Sequence, residues 1–547
     1  MQHPTPLAQL WGLSAALGTA TCVAGPASAM DLGVRPATLF SPTLEWSLDN
    51  PSHTGNAFDV EATVTFVHSQ SGTTHATGMF YDGGTTWRFR FTGTRTGSWT
   101  FSSASSDSEL DGLTGSVEVA ANPDPRVRGF IAASGTRFAR QVGENGELEG
   151  YLHNVFQDEV ALRTSAIWSQ GLSRWSDPVL THALLDEIEE NGMDTMEIEL
   201  EHQVLQLDAA RHTDHSSEEP DLTTFQIVEA MLALAHQRGH TVRLFMWGDE
   251  SRKMTPAGLP GGINGYVDQR VQRYIGARLG PLPGWTMNYG FDLEEWVTES
   301  EVGVWASNLQ AHMGWRHLLA ARKRSHVDVD LAANDERPES GFYDVAVEEI
   351  DASGGRPVVF DRRFIHLRDG VWDMETTRRA LWQFSLAGGA GSVWGHEGAE
   401  YPNKDQLRTH YTFWHAKGRF DLDLERAPMV SDGWALRSTD GERFVAYKEG
   451  ATSVQLDLSG APESLVGVAV DTKLAYAPVP IGLLAPGPHT IALPYASDWA
   501  IAVRVHGKAS VPALPVPVVG AAGALLIAAA GSTFAARRAE RAPSSRE

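Results

Sequence analysis

Between residues 126 and 418, short apolar runs alternate with longer stretches of helical periodicity, and no other feature narrows the possible folds as far. Eight runs read as strands, at residues 152–156, 195–200, 241–247, 286–291, 317–321, 327–332, 357–360 and 391–394. Helical patterns separate several of them, among them 178–191, 222–238 and 376–387. Strand–helix alternation in this number predicts parallel βα units closing into a (β/α)8 TIM barrel over residues 126–418.

The flanks have a different texture. Residues 30–125 carry short alternating runs such as 58–67 and 86–91 between Gly, Ser and Thr turns, the pattern of a β-sandwich, and residues 122–125 (NPDP) read as a linker. Beyond Trp434 short strands return, at 434–438, 443–448, 454–458 and 499–505, predicting a small C-terminal β-sandwich over 419–508.

Both ends read as addresses. Residues 10–23 are apolar but too short to span a bilayer, and residues 27–29 (ASA) follow as a cleavage site, so 1–29 is expected to be a signal peptide, although its first ten residues lack Lys and Arg. Residues 511–536 carry no charge and precede Arg537, Arg538 and Arg541, so 509–547 is expected to anchor the chain in a membrane. The expected location is the periplasm or cell surface, with the main body outside the cytoplasm. Cys22 is the only cysteine and lies within the expected signal, leaving the mature chain neither disulfide nor thiol nucleophile. A lipobox at residues 19–22 lacks the preferred apolar residue three places before the cysteine.

Composition excludes some partners. A formal charge of −24 repels nucleic acid, and 42% hydrophobic with 20% charged residues is ordinary for globular domains. The histidines are scattered, with no H-E-x-x-H or paired Cys/His spacing, so no metal or other cofactor is expected. The seventeen tryptophans suit sugar stacking, but each by itself reads more simply as packing.

Active sites of such barrels lie at the C-terminal ends of the strands. There the chain places Glu199, Glu201 and His202 after the second run, Asp249 and Glu250 after the third, and Asp292, Glu294 and Glu295 after the fourth. Asn334 and Asp335 follow the sixth, Asp361 the seventh, His396 and Glu397 the eighth. Taken singly, each acid reads more simply as a solvated loop residue or salt-bridge partner. Two stretches stand out, 286–296 (TMNYGFDLEEW) and 356–364 (RPVVFDRRF), because carboxylates on two different strands supply the acid/base and nucleophile of glycosidic-bond cleavage.

Residues 78–83 (GMFYDG), 87–91 (WRFRF) and 97–101 (GSWTF) resemble the immunoglobulin-like, DUF5060-type module that precedes the catalytic barrel in many bacterial glycoside hydrolases. Residues 289–296, 314–322 (GWRHLLAAR), 378–382 (RRALW), 387–389 (AGG) and 393–395 (VWG) resemble bacterial members of the retaining barrel clan, so that the likeness spans 31–418. The tail resembles bacterial C-terminal sorting signals that processing machinery cuts after export. The resemblance implies a carbohydrate substrate, with Glu295 as acid/base and Asp361 as nucleophile. It also brings Asp292, Glu294, Trp296, His317, Arg322, Tyr343, Trp394, His396, Glu201 and His202 forward as substrate-binding candidates. Taken singly, Arg322 reads more simply as a barrel-wall salt bridge, and His317 as a satisfied core histidine.

The chain departs from the family where Asp361-Arg362-Arg363-Phe364 stands in place of Glu-Asp-Arg-Phe. Asp is one methylene shorter, and retention needs carboxyls about 5–5.5 Å apart, so the gap widens by roughly 1 Å unless the backbone compensates. Three readings stay open: a retaining hydrolase, an inverting one with Asp361 activating water, and a surface polysaccharide-binding or adhesion protein on a degenerate barrel. A polysaccharide lyase finds thinner support, in Arg322 and Tyr343.

Overall fold

The computed structural model describes residues 30–507, apart from 43, 125–126, 152, 159–177, 191, 201–203, 206–216, 249, 251–252, 254, 325, 335–340, 361–372, 397–403 and 417–422. At its centre, eight parallel strands form one sheet: β1 (His153–Asp158), β2 (Thr195–Glu199), β3 (Thr241–Phe245), β4 (Trp285–Asn288), β5 (Leu319–Ala320), β6 (Ala332–Asn334), β7 (Val358–Phe360) and β8 (Gly391–His396). Their order is β5-β4-β3-β2-β1-β8-β7-β6. A parallel bridge between Ala320 and Leu331 joins the two outer strands, so the sheet runs round on itself.

Among the described residues six helices connect these strands, α1 (Pro178–Glu190), α2 (Leu222–Gln237), α3 (Tyr266–Leu279), α4 (Glu299–Met313), α5 (Phe342–Ala352) and α6 (Met374–Ala387), and α7 (Lys404–Ala416) follows β8. Local chemistry sets several of their starts. Asp221 and Asp373 accept backbone N–H groups at the N-termini of α2 and α6, and Thr298 with Glu301 forms a capping box on α4. Strand residues alternate in environment. Met196, Ile198, Val242, Leu244 and Met287 pack with Phe225, Val228, Val271, Ile275 and Trp305 of the helices, so Glu197, Arg243, Thr286 and Asn288 face the inside of the sheet.

The sixth strand lies further along the chain than its apolar pattern suggests. Asp330 Oδ2 accepts the Leu319 N–H at 3.0 Å, which holds the residues before β6 as a turn against β5, and Val327 is 89% exposed. A three-stranded antiparallel sheet (Ile131–Ser134, Arg137–Val142, Glu147–Tyr151) was not legible in the periodicity. Ile131 and Phe138 pack there with Leu318, Ala320, Leu331, Val359 and Ala390, capping the N-terminal ends of the parallel strands. Arg137 of this cap donates to Gly388 O at 2.7 Å and Leu424 O at 2.6 Å, and burial lowers its pKa to about 10.

Ahead of this body, a five-stranded sheet (Asp31–Thr38, Thr114–Ala120, Gly97–Ser105, Ala62–His68, Thr74–Gly78, in that spatial order) faces a three-stranded one (Leu44–Asp49, Thr86–Phe91, Phe80–Tyr81). Trp46, Phe66, Phe89, Phe91, Trp99 and Phe101 fill the space between them. A network of three arginines and three carboxylates fastens these sheets to the helices. Arg90 bonds Glu45 at 2.7 Å and Glu229 at 2.5 Å, Arg278 bonds Glu229 at 2.9 Å and Asp82 at 2.8 Å, and Arg88 bonds Asp82 and Glu45.

The C-terminal region corrects the expected sandwich. It is one six-stranded antiparallel sheet, in which Arg443–Asp457 and Pro488–Val505 are long strands paired through two register shifts. Both faces are buried along Phe444–Tyr447 and Trp499–Val503. Phe444, Ala446, Trp499 and Ile501 form a core with Val454 and Leu465, while Val445, Tyr447, Ala500 and Ala502 pack on Trp382 and Leu386 of α6 and Trp414 of α7. One face of this part thus packs on the helices and the other on residues of the C-terminal region itself. Among the described residues no helix is long and apolar enough to cross a membrane, and the expected signal and anchor segments lie outside them.

Candidate active site

The fourth-strand motif leaves the sheet through a tight turn. Past Asn288, Tyr289 O still accepts the Trp247 N–H at 2.9 Å, prolonging the β3–β4 pairing. A Cβ on Gly290 would sit 2.7 Å from Trp296 Cζ2 and 3.1 Å from Trp247 O, so only glycine lets the chain pass. Asp292 takes a left-handed conformation (φ 43°, ψ 46°) and opens a 3-10 turn, Leu293–Glu295. Leu293 is buried, the Trp296 indole donates to Phe291 O at 2.8 Å, and Glu294 and Glu295 emerge exposed at the rim.

Three consecutive basic residues after β5 grip this turn. Arg322 ion-pairs with Asp292, Lys323 Nζ lies 2.8 Å from Glu294 Oε1, and Arg324 donates to Glu294 O and Val297 O at 2.8 and 2.9 Å. Partial burial acts to raise the Glu294 pKa, but the Lys323 hydrogen bond and charge outweigh it and hold the group low. Asp292 and Glu294 are therefore engaged in positioning the turn. Glu295 stands between them and the wall residue Trp296.

Beneath the turn a polar column reaches into the sheet. With the Asn288 amide oriented by its hydrogen bonds, its oxygen accepts from Arg243 Nη2 and Nε at 2.8 and 2.9 Å, and Arg243 Nη1 lies 3.6 Å from Glu197 Oε2. The guanidinium also sits 5.0 Å from the Phe245 ring centre. Phe245 stacks on Phe291 at 4.0 Å, and Arg322 covers Phe291 at 5.7 Å. Arg243, Asn288 and the two phenylalanines were missed in the sequence. The readable signal was an arginine inside an otherwise apolar strand, where burial demands partners.

The candidates read from sequence are not all brought together. Glu295, Asp292, Glu294, Trp296 and Arg322 share the rim, although the Trp296 ring packs on Tyr289 at 5.3 Å as part of the wall. His317 lies at the opposite end of the sheet, ahead of β5. It is fully buried, stacked on Trp285 at 3.7 Å, with Nε2 2.8 Å from Gly280 O and Nδ1 3.2 Å from Trp285 O. Burial lowers its pKa to about 4 against the pull of both carbonyls, and its enclosure at that end makes it a core histidine and not a substrate ligand. Tyr343 is likewise structural, stacked on Trp434 of the C-terminal sheet at 5.1 Å, and Trp382 stacks on Tyr447 at 5.6 Å. Asp361, Glu201 and His202 fall outside the described residues, as do the side chains of Trp394 and His396 on β8. Among the described residues no cluster of His, Cys, Asp and Glu is arranged to hold a metal ion.

Residues 42–106 match the model of a domain of unknown function, DUF5060. No curated protein matches the chain in sequence. Among solved structures, a provisionally assigned glycoside hydrolase from Bacteroides vulgatus is similar with a TM-score of 0.63 and 14% identity, over 86% of this chain and 99% of that one. The chain shares its fold with glycoside hydrolases. A further protein described as a glycoside hydrolase aligns with a TM-score of 0.54 at 13% identity, covering 70% of this chain and 98% of its own. A glycoside hydrolase family 5 protein from Bacteroides vulgatus gives 0.52 at 13% identity, over 70% and 95%.

Proposed function

We propose that the chain is an exported glycoside hydrolase acting on O-glycosidic bonds of a poly- or oligosaccharide. Its (β/α)8 barrel follows an immunoglobulin-like module, Glu295 is the acid/base, and Asp361 is the nucleophile of a retaining double displacement. The observation that carries this reading is the clamped carboxylate turn after β4, in a fold shared with glycoside hydrolases. Asp361 follows Phe360, the last residue of β7, and β4 and β7 stand three strands apart round an eight-strand ring. Barrel active sites lie at the C-terminal ends of the strands, and in this reading Glu295 protonates the leaving oxygen while Asp361 attacks the anomeric carbon.

Glu295→Gln is expected to abolish turnover of poorly activated glycosides and to spare substrates whose leaving group needs no proton. Equal loss on both kinds would remove Glu295 from the acid/base role. Asp361→Asn should end turnover, and an activated fluorosugar should label the peptide containing Asp361 in the native protein. An inverted product without labelling assigns Asp361 to water activation. Polysaccharide binding that survives both substitutions, with no turnover by the native chain, would make the protein an adhesin. The location is part of the same proposal: removing residues 511–547 should release active protein from membranes.

A further inference from the structure

We propose that Asp268 is a positioning residue for this reaction, its carboxylate tying the ends of β3 and β4 together and thereby setting the turn that presents Glu295. The proposal rests on the reading of Glu295 as the acid/base. Asp268 lies in the first turn of α3, behind the sheet, with no exposed surface. Its Oδ1 accepts the Trp247 indole N–H at 3.1 Å, and its Oδ2 accepts the Tyr289 hydroxyl and the Asn264 backbone N–H, each at 2.9 Å. Trp247 and Tyr289 are the residues just beyond β3 and β4 that also pair through their backbones.

The contacts continue outward to the site. The Tyr289 ring is stacked on Trp305 of α4 at 4.7 Å and backs Trp296 at 5.3 Å, and Trp296 is the neighbour of Glu295. Asn264, the third donor, belongs to the glycine-rich loop after β3, and its side chain donates to Glu301 O of α4 at 2.8 Å. One carboxylate thus gathers the β3 loop, the β4 turn and helix α3. Burial raises its pKa, and the donated hydrogen bonds oppose this without cancelling it. Losing the acceptor leaves the buried Trp247 and Tyr289 donors to find others, and the ends of β3 and β4 move to let them. A displacement of about 1 Å at a reacting group costs about 10²-fold in rate.

The test compares aryl glycosides that the native protein turns over, in nitrophenyl and dinitrophenyl forms. Asp268→Asn keeps the volume but sets an NH2 group against a donor. It is expected to lower kcat by about 10²-fold on the poorer leaving group, by about tenfold or less on the better one, and to change KM by less than about threefold. Tyr289→Phe, which removes a single donor, should show the same selectivity more weakly and combine non-additively with Asp268→Asn. Equal losses on both leaving groups in Asp268→Asn and Tyr289→Phe, while Glu295→Gln still discriminates, would overturn the positioning role alone. Should Glu295→Gln itself fail to discriminate, the acid/base reading falls and the positioning role falls with it. If Asp268→Asn does not fold, the Tyr289→Phe measurement decides by the same criterion.

Discussion

Arg90 of the N-terminal sheets and Glu229 of helix α2 meet at 2.5 Å, in a spot where both side chains are largely withdrawn from solvent. Arg278 approaches the same carboxylate with two nitrogens at 2.9 Å, and both guanidiniums lie 4.8 Å from the Phe80 ring centre. Removing one member of such a group strands the others. Glu229→Ala is therefore expected to destabilise the chain by about 3 kcal/mol, read from urea denaturation. Burial acts to raise the Glu229 pKa, but the arginines outweigh it and hold it low. Its stabilisation is then present above the unfolded carboxylate pKa of about 4.3 and is lost as pH falls through the lower folded value. The native chain should lose stability below about pH 4 more steeply than Glu229→Ala.

Three buried histidines add an earlier acid response. Burial lowers the pKa of His236 and of His317 to about 4, and of His410 to about 3. The unfolded chain takes up these protons first, so stability is full above about pH 6.5 and falls as the pH drops toward 4. Replacing His236 by Gln should flatten the slope of unfolding free energy against pH in that window by up to ~1.4 kcal/mol per unit, one proton's worth. An unchanged slope would show that His236 is charged in the fold.

Gly290→Ala tests the close passage under Trp296. The added methyl meets the Trp296 ring and the Trp247 carbonyl at once, and the carbonyl cannot yield. The expected cost is about 1–3 kcal/mol, with a loss of turnover larger than thermal unfolding alone accounts for.

Arg322→Ala should separate geometry from stability. Its ion pair with Asp292 lies partly in solvent, so the expected change in unfolding free energy is at most about 1 kcal/mol. Turnover should nevertheless fall by about tenfold or more, because the left-handed Asp292 loses the group that holds it. Wild-type turnover in Arg322→Ala would mean that Lys323 and Arg324 suffice.

Periodicity carried the parallel sheet because its strands are apolar on the helix-facing side and short, and seven of the eight runs overlap strands near their expected places. It misplaced the sixth, where Val327, Val329 and Leu331 alternate like a strand but Asp330 folds the segment back on β5. Alternation also predicted a C-terminal sandwich, because a residue buried against a helix and one buried against a second sheet leave the same trace in the sequence. The β4 motif was legible as a cluster of acids. What each acid does depended on Arg322 and Lys323, some thirty residues away in the chain, and no local pattern reports such partners.

Arg137 reaches backbone carbonyls 251 and 287 residues downstream, and this long reach bears on how the protein is made. At ribosomal speeds of about 5–20 residues per second, the capping hairpin waits roughly 15–60 s between its own synthesis and the arrival of Leu424. For most of that interval Ile131 and Phe138 stay exposed to water, until Leu318, Ala320, Leu331, Val359 and Ala390 have been made. Chains ending short of residue 424 should accordingly be cut by proteases faster than the full-length chain.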